Sequence, residues 1–330
     1  MSRLLNTKIG SKQKTMKTTY IVLFCLLLAA CVQEETISTQ THEGKIVGYA
    51  AAALVANGTV NYGDINTSTA TASNKAVLAV FSTYTNQGMV QPEGTYSIPT
   101  PWNLIAATVK VPQIRRIGLV TNTVDVIDSR ISLKPLVGLA YSPPTKKTYG
   151  IVADTVFDYT VNEANKTMLR GTRYGALGLG TDMKLYSSTA HGELPYIYIA
   201  AGRSIRRLDL STGTYTNLAI PTPAGTYYGI RYNAFNKEVY VIKASSGSAT
   251  TPIYTLEKIN QANNTLSTVL TLPSTFTINA NYTYSATIHC CQNKYIFFDN
   301  GRFHNIDLNK NTVEVVNSTS SFQGMVWVNN

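Results

Sequence analysis

Histidine is scarce in this chain of 330 residues, with four in all, and tryptophan occurs only twice. The histidines, His42, His191, His289 and His304, are scattered. No H-E-x-x-H, no G-x-S-x-G and no cluster with metal-ligand spacing occurs, so no motif points to metal-assisted or serine-nucleophile hydrolysis and no cofactor is implied. Beyond the amino-terminal segment no stretch stays apolar for the roughly 18 residues that a membrane-crossing helix needs. A sustained 3.6-residue apolar period is also missing, whereas β-branched residues and 21 tyrosines are plentiful, which points to strands.

The amino terminus carries an address. Tyr20 to Ala30 is a short apolar run preceded by Lys8, Lys12, Lys14 and Lys17, a charged region followed by a segment too short to span a bilayer. It ends in Leu28-Ala29-Ala30-Cys31, which resembles the bacterial lipobox; the resemblance implies diacylglycerol on the Cys31 thiol. An ordinary secretory signal with a chance cysteine is the alternative, and either Met1 or Met16 serves as start. Val32-Gln33-Glu34-Glu35 resembles the surface-export signal of Bacteroidetes lipoproteins, which leaves the outer-membrane cell surface and the periplasmic face both open. The expected division is a signal peptide over 1–30, lipidated cysteine and flexible tether over 31–44, and a folded body over 45–330.

Removing the signal changes the charge balance. The formal net charge of +10 includes Arg3 and the four lysines just named; without these five, 23 Lys plus Arg face 18 Asp plus Glu, a net +5. That excess, spread over the folded body, gives nucleic-acid binding no support. Of the four cysteines only Cys290 and Cys291 remain in the body, and they are adjacent. Neighbouring strand residues point to opposite faces, so two separate thiols packed within the sheets are expected rather than a vicinal disulfide.

A phrase recurs six times. It reads L-D-L-S-T-G-T from Leu208, I-D-L-N-K-N-T from Ile306, I-N-Q-A-N-N-T from Ile259, V-N-E-A-N-K-T from Val161, I-G-L-V-T-N-T from Ile117 and G-D-I-N-T-S-T from Gly63. Its second position falls at Asp64, Gly118, Asn162, Asp209, Asn260 and Asp307, at intervals of 54, 44, 47, 51 and 47. Such a period marks one supersecondary unit repeated, none of which buries its apolar face alone.

Each unit unrolls into four short strands. In one, Leu136–Tyr141, Thr148–Val152 and Val156–Val161 are followed by a strand from Thr167; units built on Gly229–Tyr232 and Ala286–His289 repeat the plan. The phrase then sits at the hairpin between third and fourth strands, where Asp or Asn bonds its own backbone and Gly213, Asn264 or Asn311 takes a positive φ. A calcium-binding row is disfavoured, because only three copies carry Asp and these lie in different units. Four antiparallel strands per repeat describe a blade of an all-β propeller. The chain opens with strands two to four of a blade and closes with a lone first strand, Ser321–Val328, so the carboxy-terminal strand is expected to close a ring of six blades. Residues 66–115 are the least regular, and five or seven blades stay open.

I-R-R-L-D-L-S-T-G-T from Ile205 and I-R-R-I-G-L-V-T-N-T from Ile114 resemble repeats of the TolB-like and surface-layer-type propellers, over most of 45–330. The resemblance implies fold more than activity. The candidate residues facing a central funnel are Tyr141, Arg231, His289 and Trp327, of which a lone arginine and histidine on separate blades read first as structural. No acid, base or metal set converges, which favours a binding or scaffold module, lipid-tethered to the membrane, for a protein or glycan partner. The alternative is a hydrolase or lyase with its site in the funnel. Most of the tyrosines are expected to fill the core.

Overall fold

A computed structural model describes the backbone of residues 44–51, 59–68, 71–72, 75–78, 89–93, 103–108, 113–118, 123–128, 136–152, 154–162, 167–178, 187–219, 225–245, 252–278, 284–299, 301–318 and 324–329, and most side chains from 140 onward within these ranges together with 65–68. All of them fall in the compact unit His42–Asn330. Among the described residues the structure is strand and turn apart from one short 3-10 segment, and no helix is long and apolar enough to cross a membrane.

The strands pair antiparallel into sheets that follow one another along the chain. The third sheet runs outward from Leu136–Ser142 through Lys147–Val152 and Thr155–Asn162 to Thr167–Ala176. The fourth has Ser187–Ala190, Tyr196–Ala201, Ser204–Asp209 and Thr214–Asn217; the fifth has Gly225–Asn233, Glu238–Ser245, Ile253–Asn260 and Thr265–Thr271. The sixth has Tyr284–His289, Lys294–Asp299, Arg302–Asp307 and Thr312–Asn317, and the second has Met89–Glu93, Asn103–Thr108, Gln113–Gly118 and Thr123–Asp128.

The first sheet joins the two ends of the folded body. Its inner strand is Gly324–Asn329, which pairs with Gly44–Ala51 so that Met325 lies opposite Gly48 and Val326 opposite Val47. Thr59–Asn66 comes next, and its outer partner is split into Thr71–Ala72 and Lys75–Leu78. Innermost strands stand side by side in sequence from Leu136–Ser142 to Ser187–Ala190, Gly225–Asn233, Tyr284–His289 and Gly324–Asn329; the last lies beside Met89–Glu93, which lies beside Leu136–Ser142.

The hairpin between third and fourth strands has the same register in every sheet. Asn66 faces Thr71, Gly118 faces Thr123, Asn162 faces Thr167, Asp209 faces Thr214, Asn260 faces Thr265 and Asp307 faces Thr312. This corrects the reading of the first copy. Its equivalent position is Asn66, two residues beyond Asp64, and the Asn66 side chain accepts a hydrogen bond from the Ser68 amide at 3.0 Å. The same turn chemistry recurs where Asp209 Oδ1 accepts from Ser211 and Thr212, Asp307 Oδ1 from Asn309 and Lys310, and Asn260 Oδ1 from Ala262. Gly213, Asn264 and Asn311 take φ values of +72°, +57° and +54°, the left-handed region that Gly and Asn tolerate best.

The core consists of apolar layers between consecutive sheets. Tyr149, Val156, Ile197 and Leu208 fill the layer between third and fourth sheets; Tyr198, Tyr227, Val241 and Ile259 fill the next. Ile242, Leu256, Phe297 and Ile306 lie between fifth and sixth, and Phe298, Phe303, Ile65 and Met325 between sixth and first. Among the described residues nine tyrosines, including Tyr159, Tyr228 and Tyr295, are buried. Cys290 departs from expectation: with Cys291 and Gln292 it forms a 3-10 turn after an inner strand, and Cys291 is exposed rather than packed in a sheet.

Because the Asp307 carboxylate holds two amides of its turn, Asp307→Ala should lower stability by about 1 kcal/mol, read as a shift in urea midpoint at unchanged slope. A midpoint equal to that of the unaltered protein would show that the turn needs no such bond.

Candidate functional site

An inner strand has a neighbour in its own sheet on one side only, so half of its main-chain groups need partners from elsewhere. Side chains of adjacent sheets supply them. Ser187 Oγ accepts from the Ile230 amide and Thr189 Oγ1 from the Tyr232 amide, both at 3.1 Å, linking fourth to fifth sheet. Ser285 Oγ accepts from the Met325 amide at 2.8 Å, linking sixth to first. The Tyr295 hydroxyl donates to the Gly229 carbonyl, linking sixth to fifth.

Arg231 does the same over a longer reach. A β-bulge breaks the register between Tyr228 and Arg231, with Gly229 at φ +64°; bulges of this kind re-aim a side chain. A Cβ on Gly229 would also collide with the Tyr295 hydroxyl. The guanidinium donates from Nε to the Ala286 carbonyl at 2.6 Å, and from Nη1 to the carbonyls of Ile230 at 2.7 Å and Ser188 at 3.2 Å. One side chain thus ties the inner strands of fourth, fifth and sixth sheets.

The other residues expected at the funnel lie on different inner strands. Tyr141 is half-buried and faces Thr148 across the third sheet. His289 ends the inner strand of the sixth sheet opposite Lys294; burial, then the lysine charge, push its pKa down to about 4. Trp327 occupies the inner strand of the first sheet opposite Ile46, and its side chain lies outside the described residues, as does Cys31. Among the described residues no group of three or more His, Cys, Asp or Glu is arranged to hold a metal ion.

Several polar groups that sequence reasoning left aside are buried. Asp158, fully buried, accepts from Lys147 Nζ at 2.8 Å and from the Thr172 amide at 2.7 Å; the hydrogen bond to this carboxylate raises the lysine pKa. His304, 1% exposed, has its ring 4.4 Å from that of Phe276, and neither ring nitrogen has a hydrogen-bond partner. Burial, then Arg302, lower its pKa to about 4.

One rim of the sheets carries two of the exposed large apolar side chains; Leu169, Ile253 and Val315 are exposed on strands elsewhere. In an antiparallel sheet the turns after the first and third strands lie at the same edge. On that edge the turn 191–196 of the fourth sheet presents Leu194, 39% exposed, and the turn 233–238 of the fifth presents Phe235, 60% exposed. The two turns are bridged by Glu193 and Lys237 at 2.9 Å. Asn233 Oδ1 accepts from the Phe235 amide, while its Nδ2 donates to Asn293 in the corresponding turn of the sixth sheet. Gln261, from the phrase turn of the fifth sheet, donates to the Lys237 carbonyl. The signal in the sequence was Phe235 itself, a large apolar residue within N-A-F-N-K, where a turn calls for polar residues.

Compared by sequence, the chain matches no protein-family model and no curated protein. Solved structures do resemble it. A chain of the nidogen/laminin complex aligns with a TM-score of 0.60 at 12% identity, over 86% of this chain and 98% of that one. TolB from Acinetobacter baumannii gives 0.55 at 15% identity, over 86% and 66%. A functionally unknown protein from Desulfotomaculum acetoxidans gives 0.53 at 17%, over 86% and 89%. The fold is a β-propeller. At these identities the likeness concerns fold alone.

The two histidines at about 4 set a pH dependence. Each binds its proton less readily folded than unfolded, near 6.5, so native stability should fall as pH drops from about 6.5 toward 4. His304→Phe should flatten part of that acid limb in thermal melts between pH 7 and 4. An unchanged limb would mean that His304 is not buried neutral.

Proposed function

We propose that this chain is a lipid-anchored, six-bladed β-propeller that binds a protein partner at the cell envelope. In this reading residues 1–30 are the signal, 31–44 the lipidated Cys31 and its tether, and 45–330 the propeller, held at the outer membrane on its surface or periplasmic face. Six blades are supported by the cyclic succession of inner strands and by the pairing of Gly324–Asn329 with Gly44–Ala51. The central opening is then lined by inner strands bearing Tyr141, Arg231, His289 and Trp327, and Arg231 acts there as a brace.

The observation that carries the binding role is a contrast between two places. Arg231 and the inner-strand hydroxyls spend hydrogen bonds on the backbone of neighbouring sheets, whereas Leu194 and Phe235 stand exposed on two adjacent turns that are internally fixed. Rigid, exposed apolar anchors lose little entropy on docking and suit an apolar pocket on a protein partner. Burial of most described tyrosines removes much of the aromatic surface on which a glycan would stack. Propellers of this fold occur in a nidogen/laminin complex and in TolB, consistent with protein recognition at a propeller surface.

A photo-cross-linking residue at position 235, in the full-length chain in its own envelope, should give a discrete protein adduct. The captured partner, once purified, should bind Phe235→Ala at least tenfold more weakly, but bind Arg203→Ala, altered on the opposite rim, with unchanged affinity. Absence of an adduct, or equal binding by both variants, contradicts the reading.

A further inference from the structure

The turn that presents Leu194 is built around an imidazole. His191 is 2% exposed, and its ring lies 4.4 Å from that of Tyr232 in the fifth sheet. Its Nδ1 accepts two main-chain hydrogen bonds, from the Glu193 amide at 3.1 Å and the Leu194 amide at 3.0 Å. The hairpin closes around it through the His191 amide to the Tyr196 carbonyl and the Tyr196 amide to the Leu194 carbonyl. A neutral imidazole has one accepting nitrogen and one that carries hydrogen. Acceptance of two amides at Nδ1 therefore requires the neutral ring with its proton on Nε2, a buried atom.

We infer that His191 is a pH-operated clasp: protonation of Nδ1 removes the acceptor of both amides and releases the turn that carries Glu193 and Leu194, so that acidification loosens the rim. Its consequence for partner binding rests on the rim being the docking face. The clasp itself does not.

The groups around the ring set the direction. Burial lowers the pKa of His191 from its ordinary value, and burial is the largest influence. Gln261 and Glu193 favour the charged ring and Lys237 opposes it, with Tyr232 stacked on its face. Glu193 and Lys237 are bonded to each other across the two turns and so offset each other at the ring. The folded state binds the proton less readily than the unfolded chain. The clasp is accordingly closed at pH 7 and weakens as pH falls below about 6.5. Opening also frees Glu193 from the geometry in which it meets Lys237, the bridge between the turns that carry Leu194 and Phe235.

Residue-resolved hydrogen exchange on the full-length chain, normalised for intrinsic rates, tests this without any partner. Protection of the Glu193 and Leu194 amides should fall at least tenfold between pH 7 and pH 5, while the Gly213 amide, held by the Asp209 carbonyl, should keep its protection. His191→Asn, whose side-chain carbonyl accepts at any pH, should abolish the fall; if that variant fails to fold, the ¹⁵N shifts of His191 provide the second readout, with an unprotonated Nδ1 at pH 7. Equal protection at both pH values, a fall shared by Gly213, or a protonated Nδ1 at pH 7 would overturn the clasp. A clasp that opens as expected, beside a Phe235→Ala variant that binds normally, would overturn the docking face alone.

Discussion

The constraint on which this structure depends is the exposed edge of each innermost strand. A four-stranded sheet on its own leaves a row of amide and carbonyl groups facing the axis, where another chain or a misplaced strand could pair with them. Here those groups are answered by side chains of the adjoining sheet: Ser187 and Thr189 for the fifth, Ser285 for the first, Tyr295 for Gly229, and Arg231 for three strands together. Apolar layers supply most of the burial free energy, a term that is not directional. Directional bonds between inner strands fix how far each sheet is offset from the next. The strand Gly324–Asn329, joined to Gly44–Ala51, extends the same logic to the place where the first and last strands of the folded body meet.

That division of labour bears on function. Polar residues near the axis invite a catalytic interpretation, and a sequence alone places Arg231 and His289 there without partners. In the fold, Arg231 is occupied with carbonyls and His289 is held neutral by burial. The rim is organised differently. Its turns are fixed by bonds within each turn, Asn233 to Phe235 and His191 to two amides, and by bonds between turns, Asn233 to Asn293 and Glu193 to Lys237. Their apolar tips meet solvent. A surface that is rigid in its backbone and apolar at its points suits the recognition proposed for it.

The strands were largely legible because the repeat punctuates itself. A Thr that starts the outer strand, five residues after a polar or glycine turn residue, recurs in every sheet, and the strands around it alternate as a half-buried pleat requires. The first copy misled by two residues because Asp64 resembles the turn residue more than Asn66 does; pairing of Asn66 with Thr71 decides the matter. What stayed hidden was contact between sheets. The bonds of Ser187, Ser188 and Thr189 join residues 43 positions apart, and Arg231 reaches 55 positions to Ala286. No periodicity encodes such pairs. The bulge at Gly229 is likewise invisible until the register is known, and His191 looks unremarkable in sequence because its role is to accept bonds from its own turn.

The inner edges, more than the apolar layers, are where directional bonding should hold the sheets in place. Equilibrium unfolding of Arg231→Met, a swap that keeps an unbranched apolar stem but removes every donor, tests this most directly. Loss of charge-assisted bonds to three carbonyls should lower stability by about 2–3 kcal/mol, with Arg231→Lys recovering only part. A denaturant midpoint for Arg231→Met within error of the unaltered protein would contradict it.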